Sequence, residues 1–546
     1  MLRSSAAETG LRCESRLPQN KVCDTRMAGQ SLFDQIFRPE RDARVAVLCE
    51  QREITYAALR ELTVAAAEQL NSLNVKPDDR VAILLHDSPE FIASFVAIIS
   101  IGAIAVPINM ALRQSEQLFI LKDCGARVAI VEAQSAANLF GNESAATQPA
   151  ELQRLLVVRR KGDDAPSPSR VTAETFGQAS RQPRSSDFSI TTTKDADAFI
   201  LYTSGSTGEP KGAVHTQSDI SYTNETYCRE VLRLRKGDRL FSSSRLPFAY
   251  GLGNAFTFPL LNGLTTILCR EKPTPEVVAR VFQDYRPTIF FGVPVVYRML
   301  LEHHRNAAAL DTSSLRLCIS AGEALPAQLG EQWQKTFGVE VLDGIGSTEM
   351  LHMFCSSRPG QARPGSCGVE VPGYEARIVD DTDQPVLAGE IGNLWVKGES
   401  AFAGYWNKPE LTARTKRGEW VVTGDKFFRD ADGYYHYCGR ADDMMKVAGM
   451  WVSPGEVENV LLGHPAVAEA AVVGASDSAG LTRSVAYVVL RAGGEGSAEL
   501  AEEIREFART RLVGYKCPQE VRFQAELPKT ATGKIQRFRL REAARG

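Results

Sequence analysis

Ala198-Phe199-Ile200-Leu201-Tyr202-Thr203-Ser204-Gly205-Ser206-Thr207-Gly208-Glu209-Pro210-Lys211-Gly212 reads as a buried strand that runs into a loop of hydroxyls and glycines and closes on a lysine. The glycines let the backbone approach a ligand closely and offer N–H groups to phosphate oxygens. The hydroxyls add hydrogen bonds or reach a magnesium ion, and Lys211 supplies a mobile positive charge. The loop is not a Walker A loop, because Glu209-Pro210 separate its last glycine from the lysine. A flexible Gly/Ser linker would neither follow an apolar strand nor end in Pro-Lys-Gly.

Outward from this stretch the pattern is α/β. From Ser31 on, strand-like runs (Arg80–Leu85, Val128–Val131) alternate with helix-like segments (Tyr56–Leu73, Glu90–Ile101), which predicts layered sheets covered by helices. Gln134–Lys194, with its Ser/Pro-rich part Gly162–Ser186, reads as variable surface loops. Near Tyr437 the pattern changes. The polar segment Gly439-Arg440-Ala441-Asp442-Asp443 precedes a compact α+β set. Its helix Pro454–Leu462 opens on a proline, whose missing N–H costs least there. Strands at Val467–Val473 and Ser484–Leu490, a helix at Ala498–Leu512 and a strand at Glu520–Phe523 complete it. The expected organisation is a disordered extension over 1–30, a large N-terminal domain over 31–438, a hinge at 439–443 and a small mobile lid over 444–546.

Composition agrees with a large enzyme. The 546 residues include 44% apolar and 24% charged, and 63 Lys plus Arg against 66 Asp plus Glu give a net charge of -3. That balance carries no electrostatic footprint of a nucleic-acid binder. None of the eleven cysteines is spaced as CxxC, so reduced buried thiols are expected rather than a zinc or redox centre. The longest apolar run, Phe91–Pro107, is broken by Ser94, Ser100 and Gly102 and falls short of the ~20 residues of a membrane span. A cytoplasmic protein with no membrane partner is expected, with homo-oligomerisation left open. The first 26 residues carry Arg3, Arg12, Arg16, Lys21 and Arg26. Glu8, Glu14, Asp24 and Pro18 spoil a transit helix, and Met27 reads as an alternative start.

The loop resembles the phosphate loop of the adenylate-forming superfamily, which holds acyl- and aryl-CoA synthetases, peptide-synthetase adenylation domains and firefly luciferase. Other signatures of the superfamily follow in order. Gly344-Ile345-Gly346-Ser347-Thr348-Glu349 resembles its second nucleotide motif, and Thr423-Gly424-Asp425 its ribose motif. Gly439-Arg440-Ala441-Asp442-Asp443 resembles its hinge and Pro528-Lys529-Thr530-Ala531-Thr532-Gly533-Lys534 its catalytic-lysine motif. The resemblance spans nearly everything after residue 30. It implies ATP, Mg2+ and coenzyme A, with a small-molecule carboxylic acid as partner.

Residue by residue, the resemblance implies that Thr203, Ser204, Gly205, Ser206, Thr207, Gly208 and Lys211 cradle the phosphates. Asp343, Gly344, Ile345, Gly346, Ser347 and Thr348 flank the nucleotide, and Thr203 and Glu349 are the expected magnesium ligands. Glu349 also reads as a helix-initiating residue behind the N-cap candidate Ser347. Asp425 would take the ribose diol, its bland reading being a turn aspartate after Gly424. Arg440 would be a second ribose or phosphate contact. Lys534 would orient the carboxylate and neutralise charge at the α-phosphate, and Asp442 would be the hinge pivot. Lys446, Ala448 and Gly449 match the stretch that forms the pantetheine tunnel, where Trp451 reads equally as lid core.

Arg245–Ala255 falls where the superfamily builds its acyl pocket and is close to the pattern of benzoate- and hydroxybenzoate–CoA ligases, as are Ser320–Pro326 and Gly344–His352. No carboxylate is offered there for an amino group, which disfavours an α-amino acid. Ala249, Tyr250, Gly251, Gly322, Gly344, Ile345 and His352 would suit a flat ring. His352 reads equally as a buried, hydrogen-bonded histidine. The expected reaction is two-step ligation of benzoate or a substituted benzoate to coenzyme A. A medium-chain fatty acyl–CoA ligase and a carrier-loading adenylating enzyme are the alternatives. A nucleotide sensor would have lost Lys534, Glu349 or Asp425, and none is lost.

Overall fold

The computed structural model describes residues 30–140, 149–160, 163, 172–177, 195–204, 209–307, 309–447, 450–476, 482–491, 494–529 and 535–544. Two large sheets carry the N-terminal body. The first has eight strands in the spatial order Gly404–Tyr405, Pro210–Thr216, Asp197–Ser204, Ile104–Pro107, Arg80–Leu84, Val128–Glu132, Arg154–Val158 and Thr172–Thr175. From Asp197–Ser204 to Thr172–Thr175 the pairing is parallel; the two strands at the other edge are antiparallel. The second has nine strands, with a parallel centre from Val45–Cys49 to Val341–Gly346.

The apolar run of the first strand is explained by burial on both faces. Phe199 and Leu201 enter the core shared by the two sheets, while Ile200 and Tyr202 pack into a second core on the opposite face. Helices Tyr56–Ser72 and Pro89–Ser100 contribute to the shared core. The second of these is buried at nearly every position, including Ser94, whose hydroxyl donates to the Glu90 carbonyl at 2.7 Å. The longest apolar run is therefore a core helix and the strand after it, and no helix among the described residues is long and apolar enough to cross a membrane.

A five-stranded antiparallel sheet, built on Gly392–Lys397 and Trp420–Arg429, closes the body. Beyond it the helices Pro454–Leu462, Ala498–Arg509 and Arg537–Ala544 pack with strands Val467–Ser476, Thr482–Leu490 and Glu520–Phe523 around cores of their own. The sequence-predicted elements fall within three residues of these bounds. Gln134–Lys194 corrects one expectation, because it includes most of helix Ala133–Phe140 and the strands Arg154–Val158 and Thr172–Thr175. The last of these runs through the Ser/Pro-rich part, where its parallel partner imposes extended backbone on a weak local pattern. Of the nine described cysteines all are free, and eight are buried.

Candidate active site

The antiparallel pair Asp197–Ser204 and Pro210–Thr216 sets Thr203 opposite Lys211. The expected phosphate-cradling residues Gly205, Ser206, Thr207 and Gly208 lie between them, outside the described residues; Ser204 ends the first strand. Residues 211, 213 and 215 share one face of the second strand. On its far edge that strand pairs with Gly404–Tyr405, Tyr405 lying opposite Ala213.

Three side chains converge on this face. The Lys211 ammonium donates to Glu349 Oε1 at 3.1 Å and to the Tyr405 hydroxyl oxygen at 2.6 Å, and it sits 4.3 Å from the Tyr405 ring centroid. The Tyr405 hydroxyl in turn donates to Glu349 Oε1 at 2.5 Å. Burial alone would raise the Glu349 carboxyl, but the Lys211 charge and the Tyr405 hydrogen bond outweigh it and hold the group below the usual carboxylate range. The Glu349 carboxyl is thus ionised at neutral pH. It lies in a short 3₁₀ turn, Thr348–Met350, with Ser347 as N-cap accepting from the Met350 N–H at 3.2 Å. Tyr405 was absent from the sequence reading. Its signal is the aromatic pair Tyr405-Trp406 after Gly404, far from Lys211 in sequence and beside it in space.

Asp425 and Arg440 are direct partners across the strands Trp420–Arg429 and Tyr435–Arg440. Arg440 Nη1 donates to Asp425 Oδ1 at 3.0 Å and to the Thr423 carbonyl at 2.9 Å. Asp425 is therefore in a strand, not in a turn. Burial would lower the Arg440 guanidinium, and the fields of Asp425 and, further off, Glu349 raise it instead. Glu349 thus lies within electrostatic reach of Arg440. Two of the five expected hinge residues are strand: Gly439 and Arg440 end Tyr435–Arg440, and the turn takes Ala441–Asp443. Gly439 adopts φ +145°, a conformation few other residues tolerate, with Met444 Sδ 3.2 Å from where a Cβ would stand. Asp442 is exposed in that turn, and its carbonyl accepts from Arg541 at 3.2 Å.

The acyl-pocket candidates are brought together less simply. Tyr250 is half-buried, and its hydroxyl bonds inward to the carbonyls of Gly292 and Ile319 at 3.3 Å each, so it offers its ring rather than its oxygen. His352 is buried among Tyr227, Tyr250 and Phe258, with Nε2 3.2 Å from Asn254 Oδ1 and Nδ1 unpartnered. Burial pushes its imidazole down to about 3, so it is neutral at physiological pH. The bland reading of His352 accounts for one nitrogen and leaves the other open. Ala249 is buried and Ile345 half-buried, whereas Gly322 is exposed. Gly251 packs against the Arg245 carbonyl, and a Cβ on Gly344 or Gly346 would strike the strand Met353–Ser356 or the His352 carbonyl before it. Close backbone packing is reason enough for these glycines. Asp343 is buried beside them and accepts from the Leu325 N–H at 3.3 Å; its Oδ1 has no partner, and burial pushes its carboxyl up to about 8.

In the C-terminal part, Lys446 is exposed on the short strand Met445–Val447, while Ala448, Gly449 and Lys534 lie outside the described residues, as does the Trp451 side chain. The helix Arg537–Ala544 is tied to the Ala441–Asp443 turn and to the helix Pro454–Leu462: Arg541 donates to Asp443 Oδ1 at 2.6 Å, and Arg537 Nη2 donates to both oxygens of Glu458 at 2.8 and 2.7 Å. Arg298 on the body helix Pro294–Asn306 donates to the Ala468 carbonyl at 3.0 Å and joins this part to the body.

The model of the AMP-binding enzyme family matches residues 35–406, and that of the AMP-binding enzyme C-terminal domain matches 456–534. A benzoate–CoA ligase of Thauera aromatica is 40% identical over 96% of this chain and 98% of the relative. A 4-hydroxybenzoate–CoA/benzoate–CoA ligase of Rhodopseudomonas palustris is 38% identical over 95% and 94%. The solved structure of an anthranilate CoA ligase in complex with anthranoyl-AMP superposes with a TM-score of 0.85 at 38% identity, covering 95% of this chain and 98% of that one.

Proposed function

Since the chain belongs to the AMP-binding enzymes, we propose that it is an ATP-dependent acid–coenzyme A ligase acting on benzoate or a substituted benzoate. The observation that carries this reading is the Lys211–Glu349 pair, set beside Thr203 at the end of the strand that leads into the loop, with the Asp425–Arg440 pair within the electrostatic reach of Glu349. A cation, an ionised oxygen ligand and a carboxylate suited to a diol are what a nucleoside triphosphate and its counter-ion require.

The donor set fits magnesium, a hard cation that binds one or two carboxylates and keeps its other positions for water and phosphate. Glu349 and the Thr203 hydroxyl would hold it, and it would neutralise phosphate charge. In the first step a carboxylate oxygen of the acid attacks the α-phosphorus, and the bond to pyrophosphate breaks. Lys534 would hold the acid against the nucleotide, and Lys211 would meet the departing phosphates. In the second step the coenzyme A sulfur attacks the acyl carbon and AMP leaves. Rotation of the C-terminal part about Asp442 would first withdraw Lys534 and bring Lys446, Ala448 and Gly449 alongside the pantetheine arm.

Several features favour a ring. Tyr250 turns its hydroxyl away to backbone carbonyls, the His352 imidazole is uncharged, and the relatives named above act on benzoates. The test is coenzyme A-dependent AMP release over benzoate, hydroxy- and aminobenzoates, hexanoate and octanoate. Turnover highest on a benzoate supports the assignment. A maximum on straight-chain acids would discard the ring pocket, and AMP release only with a carrier protein would discard coenzyme A as acceptor.

A further inference from the structure

The strand Pro210–Thr216 holds the turn that carries Glu349 at two points. Lys211 takes the carboxylate, and His215, four residues on and on the same face, takes the main chain beside it. His215 is fully buried. Its Nε2 lies 2.7 Å from the Thr348 carbonyl oxygen and its Nδ1 2.7 Å from Asp219 Oδ2. Phe199 stacks on the ring at 5.3 Å and 18°. Asp219 is itself held by further donors: Oδ2 also takes the Thr216 N–H at 3.1 Å, and Oδ1 takes the Thr216 hydroxyl at 2.8 Å.

Counting protons fixes the direction of these bonds. A carbonyl has none to give, so at 2.7 Å the Thr348 oxygen requires a hydrogen on Nε2. The contact between Nδ1 and the carboxylate then requires a second, on either of its two atoms. The His215–Asp219 pair holds two protons, and in both arrangements Nε2–H donates to Thr348.

The turn needs such a hold. Leu351, which follows it, stands at φ +62°, unfavourable for a residue with a side chain, and its N–H shares the same Thr348 carbonyl at 3.1 Å. The Phe402 N–H reaches the Glu349 carbonyl at 2.8 Å, and the Ser400 hydroxyl reaches that of Met350 at 2.9 Å. Of these supports, His215 is the one rooted in the same strand as Lys211.

We propose that His215, with Asp219 as its proton partner, is a positioning residue that locks the Glu349 turn to the lysine-bearing strand, so that Lys211 and Glu349 meet Mg-ATP at a fixed separation. The proposal rests on the ligase reading above for its consequence, and on the bond geometry alone for its existence.

Two measurements test it. In protein labelled with 15N-histidine, the ring resonances lost in His215→Gln should show a proton bonded to Nε2; an Nε2 without one overturns the proposal. His215→Leu, which fills the space without a donor, should raise the KM for Mg-ATP in adenylation, and the Kd for Mg-ATP by calorimetry, about tenfold. Thioester formation from supplied acyl-adenylate should change less than about twofold, and His215→Gln, which keeps an N–H donor, should recover most of the loss. Equal loss in both half-reactions, or a Leu variant that binds Mg-ATP as the parent does, would overturn it. A parent chain that adenylates no acid would sink the ligase reading instead, and the Nε2 proton and Mg-ATP calorimetry would still decide this one.

Discussion

The Lys211 ammonium and Glu349 Oε1 lie 3.1 Å apart, with the Tyr405 hydroxyl bonded to both. The group expected to meet phosphate and the group expected to meet a cation therefore neutralise each other, and under the proposed function Mg-ATP would insert its own opposite charges between them. Tyr405 keeps the pair in place without adding charge. Tyr405→Phe removes one hydrogen bond to each partner and leaves the ring over Lys211. Bonds to charged groups are worth about 1.5–3 kcal/mol, so kcat/KM for Mg-ATP should fall roughly ten- to hundredfold with the fold retained. Acid-dependent pyrophosphate exchange, read alongside circular dichroism, measures this. An unchanged exchange rate would show that the phenol is packing only.

Lys534→Ala separates the two half-reactions. Adenylation should fall by at least about a hundredfold, in line with loss of a charge from the reacting centre. Thioester formation from supplied acyl-adenylate should persist. Parallel loss of both would assign the lysine to the integrity of the C-terminal part.

Asp343 makes stability depend on pH in an unusual direction. Its folded carboxyl stands at about 8, above the ordinary value of 3.8, so the folded state holds the proton longer than the unfolded one. Its contribution is fully present below pH 4 and is lost as pH rises through 8. Asp343→Asn removes that loss. The variant should melt higher than the parent at pH 8.5, with the gap narrowing steadily toward pH 4. A gap that does not change with pH would mean that Asp343 does not titrate in this window.

Gly439→Ala places a Cβ at φ +145° against Met444. A strain of about 1–3 kcal/mol follows, at the junction proposed above to turn between half-reactions. Thermal unfolding should shift down, and steady-state turnover should fall more than single-turnover adenylation does. A variant slowed equally in both would place the strain outside the turning step.

The fold was legible where burial and local pattern agree. The strand Asp197–Ser204 reads as apolar on both faces because it has a core on both. Pro454–Leu462 is bounded by a cap and a proline that act within a single turn. Thr172–Thr175 escaped notice because its extended backbone comes from a neighbouring strand and not from its own residues. The same division runs through the site. Glu349, Asp425 and Arg440 sit in short motifs, while Tyr405 and His215 act through partners 56 to 194 residues away, which spacing along the chain does not reveal. The motif reads Gly344 and Gly346 as nucleotide contacts, and the structure gives them a reason in strand packing that the motif does not suggest.

The strand Pro210–Thr216 is held on one side by Asp197–Ser204 and on the other by Gly404–Tyr405, and Lys211 and His215 project from it on one face. Because side chains alternate, one residue inserted between them would send the two to opposite sides of the sheet. The count of four between the lysine and the histidine is thus a stricter requirement than the identity of the residues that fill it. Sequence variation in this stretch should come as substitutions and almost never as insertions or deletions, whatever is tolerated in the loops on either side.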